Sequence, residues 1–131
     1  MSRILAVDDE PSIVRLIQVS LTREGHDVIT ASDGREALAK AEAERPDLIL
    51  MDVMMPYVDG FEAIRLLKEK AETRDIPVIL LTAKRHDADM IRGIESGAAS
   101  YLTKPFSPNA LVALVSEILG NGDNQDGGAR Q

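Results

Sequence analysis

The stretch Ile4-Leu5-Ala6-Val7-Asp8-Asp9-Glu10-Pro11 decides how this chain folds. Four consecutive apolar residues read as a strand buried on both faces, because a strand with one wet face would alternate. Two carboxylates end the run, and Pro11 suits the first turn of a helix. Ile13, Leu16, Ile17 and Leu21 then share one helical face. Working outward, similar apolar runs recur at Leu48-Ile49-Leu50-Met51 and Pro77-Val78-Ile79-Leu80-Leu81, more weakly at Val28-Ile29, and in a short candidate at Tyr101-Leu102. Helical spacing fills the intervals. Ala37, Leu38 and Ala41 follow a cap at Ser32 or Asp33 and stop before Pro46. Phe61, Ile64 and Leu67 mark a third helix, and Met90, Ile91 and Ile94 a fourth, closed by Gly97. Leu111, Leu114, Val115 and Ile118 mark a fifth after the cap pair Ser107-Pro108.

Strict alternation of strand and helix predicts an α/β fold. A parallel sheet carries helices on both faces through right-handed crossovers. Five such units suit the flavodoxin-like, doubly wound (βα)5 architecture with a five-stranded parallel sheet in the order 2-1-3-4-5. The length of 131 residues accommodates one hydrophobic core without covalent staples. Residues 1–120 read as the domain. Residues 121–131 read as a flexible tail, since Gly120 to Gln131 holds four glycines, two Asn, two Asp and no large apolar side chain.

Composition removes whole classes of function. With 44% apolar and 28% charged residues the chain is an ordinary globular one. It has no cysteine, which excludes disulfide scaffolds, thiol nucleophiles and cysteine-ligated metals. Its two histidines, His26 and His86, are far apart and read as loop residues rather than zinc ligands. Fifteen basic residues against 22 acidic ones leave a net charge of −7 and argue against direct grip on nucleic acid, which needs a basic footprint. No run approaches the roughly 20 apolar residues of a membrane span, and no signal peptide precedes Asp8. The expectation is a cytoplasmic protein that contacts neither membrane nor nucleic acid.

In a sheet of this kind ligands bind beyond the carboxyl ends of the strands, where the strand order reverses. Strand one ends in Asp8-Asp9, strand three in Asp52, strand four in Thr82 and strand five in Lys104-Pro105. Three carboxylates and one ammonium therefore converge on one sheet edge. Carboxylates crowded together raise one another's pKa, and a hard divalent cation with oxygen ligands resolves that conflict. An Asp beside such an ion can attack a phosphoryl group to form an acyl phosphate, while Thr82 and Lys104 can contact the phosphoryl oxygens. Singly, each residue has a plainer reading. Asp8-Asp9 could cap a helix, Asp52 could be a loop carboxylate, Thr82 a strand-end hydroxyl bonded to backbone, and Lys104 a surface lysine before a turn. Their placement together at four of five strand ends is what carries the site. Met51, Met54 and Met55 read as packing or rim residues.

The strings AVDDEPSIVRLI, LILMDVMMPYVDGFE, VILLTA and YLTKPF resemble those of a response-regulator receiver domain, the CheY-like module of two-component signal transduction, over about residues 3 to 119. The resemblance implies that Asp52 is the phosphoacceptor and that Asp8, Asp9, Asp52 and the backbone carbonyl of Met54 hold Mg²⁺ (or Mn²⁺). It implies that Thr82 is the switch hydroxyl, that Lys104 contacts the phosphoryl group, and that Tyr101 is the aromatic that turns inward on activation. Lys104-Pro105 is then a cis peptide, and Gly60 lets the chain turn into the third helix. It further implies a sensor histidine kinase or phosphotransfer protein as donor and a downstream protein target. The chain would be a switch assisting its own phosphorylation and dephosphorylation rather than an enzyme.

Rival readings meet particular residues. A flavodoxin needs a Ser/Thr/Gly-rich phosphate loop where this chain has Asp8-Asp9-Glu10-Pro11-Ser12. No G-x-x-x-x-G-K-[ST] string is present. An aspartyl phosphatase of the haloacid-dehalogenase type would place its nucleophile after strand one with a second acid two residues on. That position is Glu10, and no insertion long enough for a cap follows. An interaction module that ignores phosphorylation would not need all five site residues. DNA-binding regulators that dimerise through the fourth helix, fifth strand and fifth helix use charged pairs there. This chain has Ala98-Ala99-Ser100 and Asn109-Ala110 at the matching places. A stand-alone regulator, monomeric or weakly dimeric and acting through protein contact or a phosphorelay, is the expectation; the alternative is a receiver from a longer DNA-binding or enzymatic regulator.

Overall fold

A computed structural model of the chain describes residues 2–83 and 97–127. In chain order the elements are β1 (Arg3–Val7), α1 (Pro11–Arg23), β2 (Asp27–Ala31), α2 (Gly34–Glu44), β3 (Leu48–Asp52), α3 (Gly60–Lys68), β4 (Val78–Ala83), β5 (Ser100–Lys104) and a C-terminal helix (Pro108–Gly127). The predicted helix through Met90, Ile91 and Ile94 lies outside the described residues, as do Lys84 and His86. The C-terminal helix overlaps the first seven residues of the segment whose composition suggests a tail. All strands pair in parallel, in the order β2-β1-β3-β4-β5. This is the flavodoxin-like topology expected from the alternation. No helix among the described residues is long and apolar enough to cross a membrane.

The continuous apolar runs divide by the twofold period of a strand. Leu5, Val7, Ile49, Met51 and Leu80 face one core, closed by Ala37 and Ala41 of α2 and by Phe61, Ile64 and Leu67 of α3. Ile4, Ala6, Leu48, Leu50, Ile79 and Leu81 face the other, closed by Ile17 and Leu21 of α1 and Leu111 and Val115 of the C-terminal helix. Both faces of β1 and β3 are thus dry. Truncating such a fully buried side chain, for example Leu50→Ala, costs about 2–5 kcal/mol.

Helix starts follow the local polar residues. Of the two cap candidates for α2, Asp33 is the one used: its Oδ1 accepts from Glu36 N at 2.9 Å. Asp59 caps α3 in the same way, and Ser107 Oγ accepts from Ala110 N at 3.1 Å. Pro11 opens α1, and the left-handed Arg45 ends α2 just before Pro46.

Candidate functional site

The site lies where β1, β3 and β5 end together. Asp8 is buried, with Oδ1 accepting from Glu10 N at 2.9 Å and Oδ2 from Lys104 Nζ at 2.8 Å. It therefore closes the turn into Glu10 just ahead of α1 and also binds the ammonium; α1 itself carries no side-chain cap hydrogen bond, so the capping reading does not hold. Asp52, the last residue of β3, accepts from Met54 N through Oδ1 at 3.2 Å and from Lys104 Nζ through Oδ2 at 3.2 Å. Asp9 is exposed at the rim. One carboxylate oxygen from each of Asp8, Asp9 and Asp52 lies within 4.8 Å of the others.

Charge in this cluster is poised. Burial pushes the Asp52 carboxyl above its usual range, and the neighbouring Asp8 charge pushes the same way. The charge and hydrogen bond of Lys104 and the Met54 amide pull it back without cancelling the rise. Burial alone would lower Lys104, but its hydrogen bond to Asp8 and the charges of Asp52 and Asp8 outweigh that and hold it above its ordinary value. A cluster of hard oxygen donors carrying more negative than positive charge suits Mg²⁺, which takes carboxylates, carbonyls and waters. The donor set fits the ion.

Thr82 sits near the end of β4, buried, and its Oγ1 has no hydrogen-bond partner among the described residues. Among the described residues no backbone group takes this hydroxyl. An orphaned buried hydroxyl costs about 1–3 kcal/mol, so this group stands ready for an acceptor. Tyr101 is half-buried on β5, opposite Leu80 and against the core under α3. The Lys104–Pro105 peptide is cis.

Residues 4–116 match the response regulator receiver domain family. The chain belongs to that family. Receiver domains of two-component systems work between histidine kinases and downstream targets, and they bind Mg²⁺ in an acidic pocket of the kind formed by Asp8, Asp9 and Asp52. Among similar proteins, the alkaline phosphatase synthesis transcriptional regulatory protein PhoP of Bacillus subtilis is 53% identical over 117 residues, which are 89% of this chain and 48% of that protein. The response regulator PleD of Caulobacter vibrioides is 50% identical over 117 residues, 26% of its length. This receiver domain thus spans about half of the first relative and about a quarter of the second. Protein PilH of Pseudomonas aeruginosa is 41% identical over 119 residues, 91% of this chain and 98% of that protein. The solved chemotaxis response regulator CheY4 of Vibrio cholerae superposes with a TM-score of 0.85 at 37% identity, covering 90% of this chain and 98% of that one.

Of the predicted site residues, the fold brings Lys104 into contact with Asp8 and Asp52 and gathers carboxylate oxygens of Asp8, Asp9 and Asp52 within 4.8 Å of one another. Met54 touches the cluster through its amide, which donates to Asp52 Oδ1, and not through the carbonyl expected to face the ion; the residue is 64% exposed. Met51 is fully buried, and Met55 is half-buried against the core. His26 lies in the α1–β2 turn, half-buried, with Nδ1 accepting from Ser2 N at 3.2 Å. Sequence reasoning passed over Arg35 and Tyr57. The Arg35 guanidinium lies 3.7 Å from the Tyr57 ring centroid, and Tyr57 has a φ of +70°. Neither a stacked pair 22 positions apart nor a left-handed tyrosine leaves a local sequence signal.

Proposed function

We propose that this receiver domain accepts a phosphoryl group on Asp52 from the phosphohistidine of a sensor kinase or phosphotransfer protein. The observation that carries the reading is the shared ammonium: Lys104 Nζ reaches both Asp8 and Asp52, leaving the acidic cluster one cation short. A Mg²⁺ (or Mn²⁺) ion held by Asp8, Asp9, Asp52 and the Met54 carbonyl would neutralise charge on the transferring phosphoryl oxygens. Asp52 supplies the nucleophile. One of its oxygens bonds to phosphorus as the phosphorus–nitrogen bond of the donor breaks, the imidazole nitrogen keeping that electron pair, and an acyl phosphate results. Lys104 balances charge from the β5 side. The Thr82 hydroxyl, orphaned beforehand, donates to a phosphoryl oxygen.

The new charge, about −2 with three strong acceptors, shifts a two-state equilibrium. As Thr82 is drawn to the phosphoryl group, Tyr101 turns inward and remodels the face formed by β5, the C-terminal helix and the predicted helix before them. The chain thereby acts as a phosphoacceptor switch that assists its own loading and unloading. Its output is a protein contact made by a monomer or weak dimer, supported by the uncharged Ala98-Ala99-Ser100 and Asn109-Ala110 and by the likeness to PilH along almost that protein's whole length. The half-length match to a Bacillus subtilis transcriptional regulator favours a second reading, the receiver part of a longer DNA-binding regulator.

Intact mass and a phosphate-affinity gel after incubation with acetyl phosphate, with and without Mg²⁺, test the proposal. One base-labile phosphoryl group should appear only with Mg²⁺ and never in Asp52→Asn. No uptake by folded, Mg²⁺-bound protein would instead indicate an interaction module independent of phosphorylation. Turnover of acetyl phosphate without Asp52 would indicate a phosphatase.

A further inference from the structure

The β3–α3 connection, residues 53–59, is pinned at both ends. Val53 N donates to Leu81 O at 3.1 Å, and Gly60 N donates to Val53 O at 2.9 Å. Between them Val58 N donates to Pro56 O at 2.8 Å across Tyr57, whose φ is +70°. A two-residue hydrogen bond around a positive φ is a γ-turn of the rare, strained form. Tyrosine carries the Cβ that this region disfavours, so the turn persists only where its surroundings hold it. Burial does not supply the hold, because Tyr57 is 71% exposed.

The start of α2 supplies it instead. The Arg35 guanidinium stacks 3.7 Å from the Tyr57 ring centroid, within cation–π range. One residue earlier, a Cβ on Gly34 would lie 2.2 Å from Val58 O, so the helix backbone rests directly on the loop. Two successive residues of α2 therefore meet two successive residues of the turn. This end of α2 is itself braced. Asp33 Oδ1 accepts from Glu36 N at 2.9 Å, and Glu36 Oε1 accepts from Ser32 N at 2.8 Å. Lys40 pairs with Glu36 at 3.2 Å and donates to Thr30 O. The second residue of the same loop is Met54, whose amide donates to Asp52 Oδ1.

We propose that the first turn of α2 clamps the phosphoacceptor loop, and that Arg35 and Tyr57 are positioning residues which set the Met54 backbone against Asp52. The proposal rests on the reading of Asp52 as the loaded residue. Breaking the stack lets the strained turn relax and the Met54 carbonyl drift, which weakens metal binding without touching a ligand.

Arg35→Ala, Tyr57→Leu, the double variant and Tyr57→Phe test it. Three readouts apply: amide hydrogen exchange at Met54 and Val58 in metal-free protein, Mg²⁺ affinity by calorimetry, and melting temperature. Arg35→Ala and Tyr57→Leu should speed exchange at both amides and weaken Mg²⁺ binding about two- to fivefold, the scale of an exposed cation–π contact. The double variant should be no worse than either single one, Tyr57→Phe should match the parent, and melting should move little. Unchanged exchange and unchanged affinity in both single variants overturn the clamp. So does a Tyr57→Phe loss equal to that of Tyr57→Leu, which would assign the effect to the hydroxyl. A parent protein that takes up neither Mg²⁺ nor phosphoryl overturns the reading of Asp52, while the metal-free exchange data still decide the clamp.

Discussion

The Lys104 ammonium lies 3.2 Å from Asp52 Oδ2, joining the last residue of β5 to the last residue of β3 across the intervening β4. Neighbouring strands are about 4.8 Å apart, so this contact spans roughly two strand spacings and needs the full length of a lysine side chain. The same ammonium bonds Asp8, so one cation serves two buried carboxylates. Replacing it should be felt as charge as well as lost packing.

Lys104→Met should destabilise the metal-free protein at neutral pH by about 1–3 kcal/mol, because two buried carboxylates lose their shared donor. Urea unfolding with and without saturating Mg²⁺ checks this, and the deficit should shrink when the ion replaces the missing charge. Lys104 is held above its ordinary value, so the stability it contributes is complete at neutral pH and is lost only in strongly alkaline solution.

Asp52→Asn should do the opposite in metal-free protein. The Asp52 carboxyl is held above its usual range, so the native state holds this proton more tightly than the unfolded chain. Stability then falls as pH rises from the ordinary carboxylate range through the raised value. The variant lacks that loss and should be the more stable protein at neutral pH, with the difference vanishing in acid. Urea midpoints over a pH series read the effect. Mg²⁺ should stabilise the parent and do so much less for the variant, since at ten times its dissociation constant a ligand contributes about 1.4 kcal/mol.

Thr82→Val removes a buried hydroxyl that has no partner among the described residues, while nearly keeping the shape. Calorimetry should show unchanged or higher melting for the unphosphorylated protein, with a gain of up to about 1 kcal/mol. Loading on Asp52 should persist in this variant, but the response of Tyr101, followed through its ring signals, should be lost.

Gly60→Ala should place a Cβ 2.8 Å from Asp52 O and 3.0 Å from the Val53 Cα. Backbone on both sides leaves little room to yield, so a loss of about 1–3 kcal/mol is expected in thermal unfolding. Because the collision is with the carbonyl of Asp52, the proposed phosphoacceptor, Mg²⁺ affinity should fall as well.

How plainly each strand shows in the sequence follows its place in the sheet. β1, β3 and β4 are internal, with a neighbour on each side and cores above and below, and each announces itself as a run of aliphatic residues. β2 and β5 are the two edges. Their residues are mostly half-buried, so their sequences carry fewer aliphatics and give only Val28-Ile29 and Tyr101-Leu102 as signal. The full extents Asp27–Ala31 and Ser100–Lys104 emerge from pairing with β1 and β4.

Local chemistry, legible along the chain, determined the order of elements, the helix starts at Pro11 and Ser107-Pro108, and the residue types waiting at each strand end. Strand burial, capping and turns depend on near neighbours, and near neighbours are what a sequence displays. Only the folded sheet decided which distant groups meet. It put Lys104 on Asp8 over 96 positions, left the Thr82 hydroxyl buried without a partner among the described residues, and set Arg35 on the ring of a strained Tyr57. Those relationships depend on strand order and on how helices settle on the sheet, and long-range packing of that kind has no period to read.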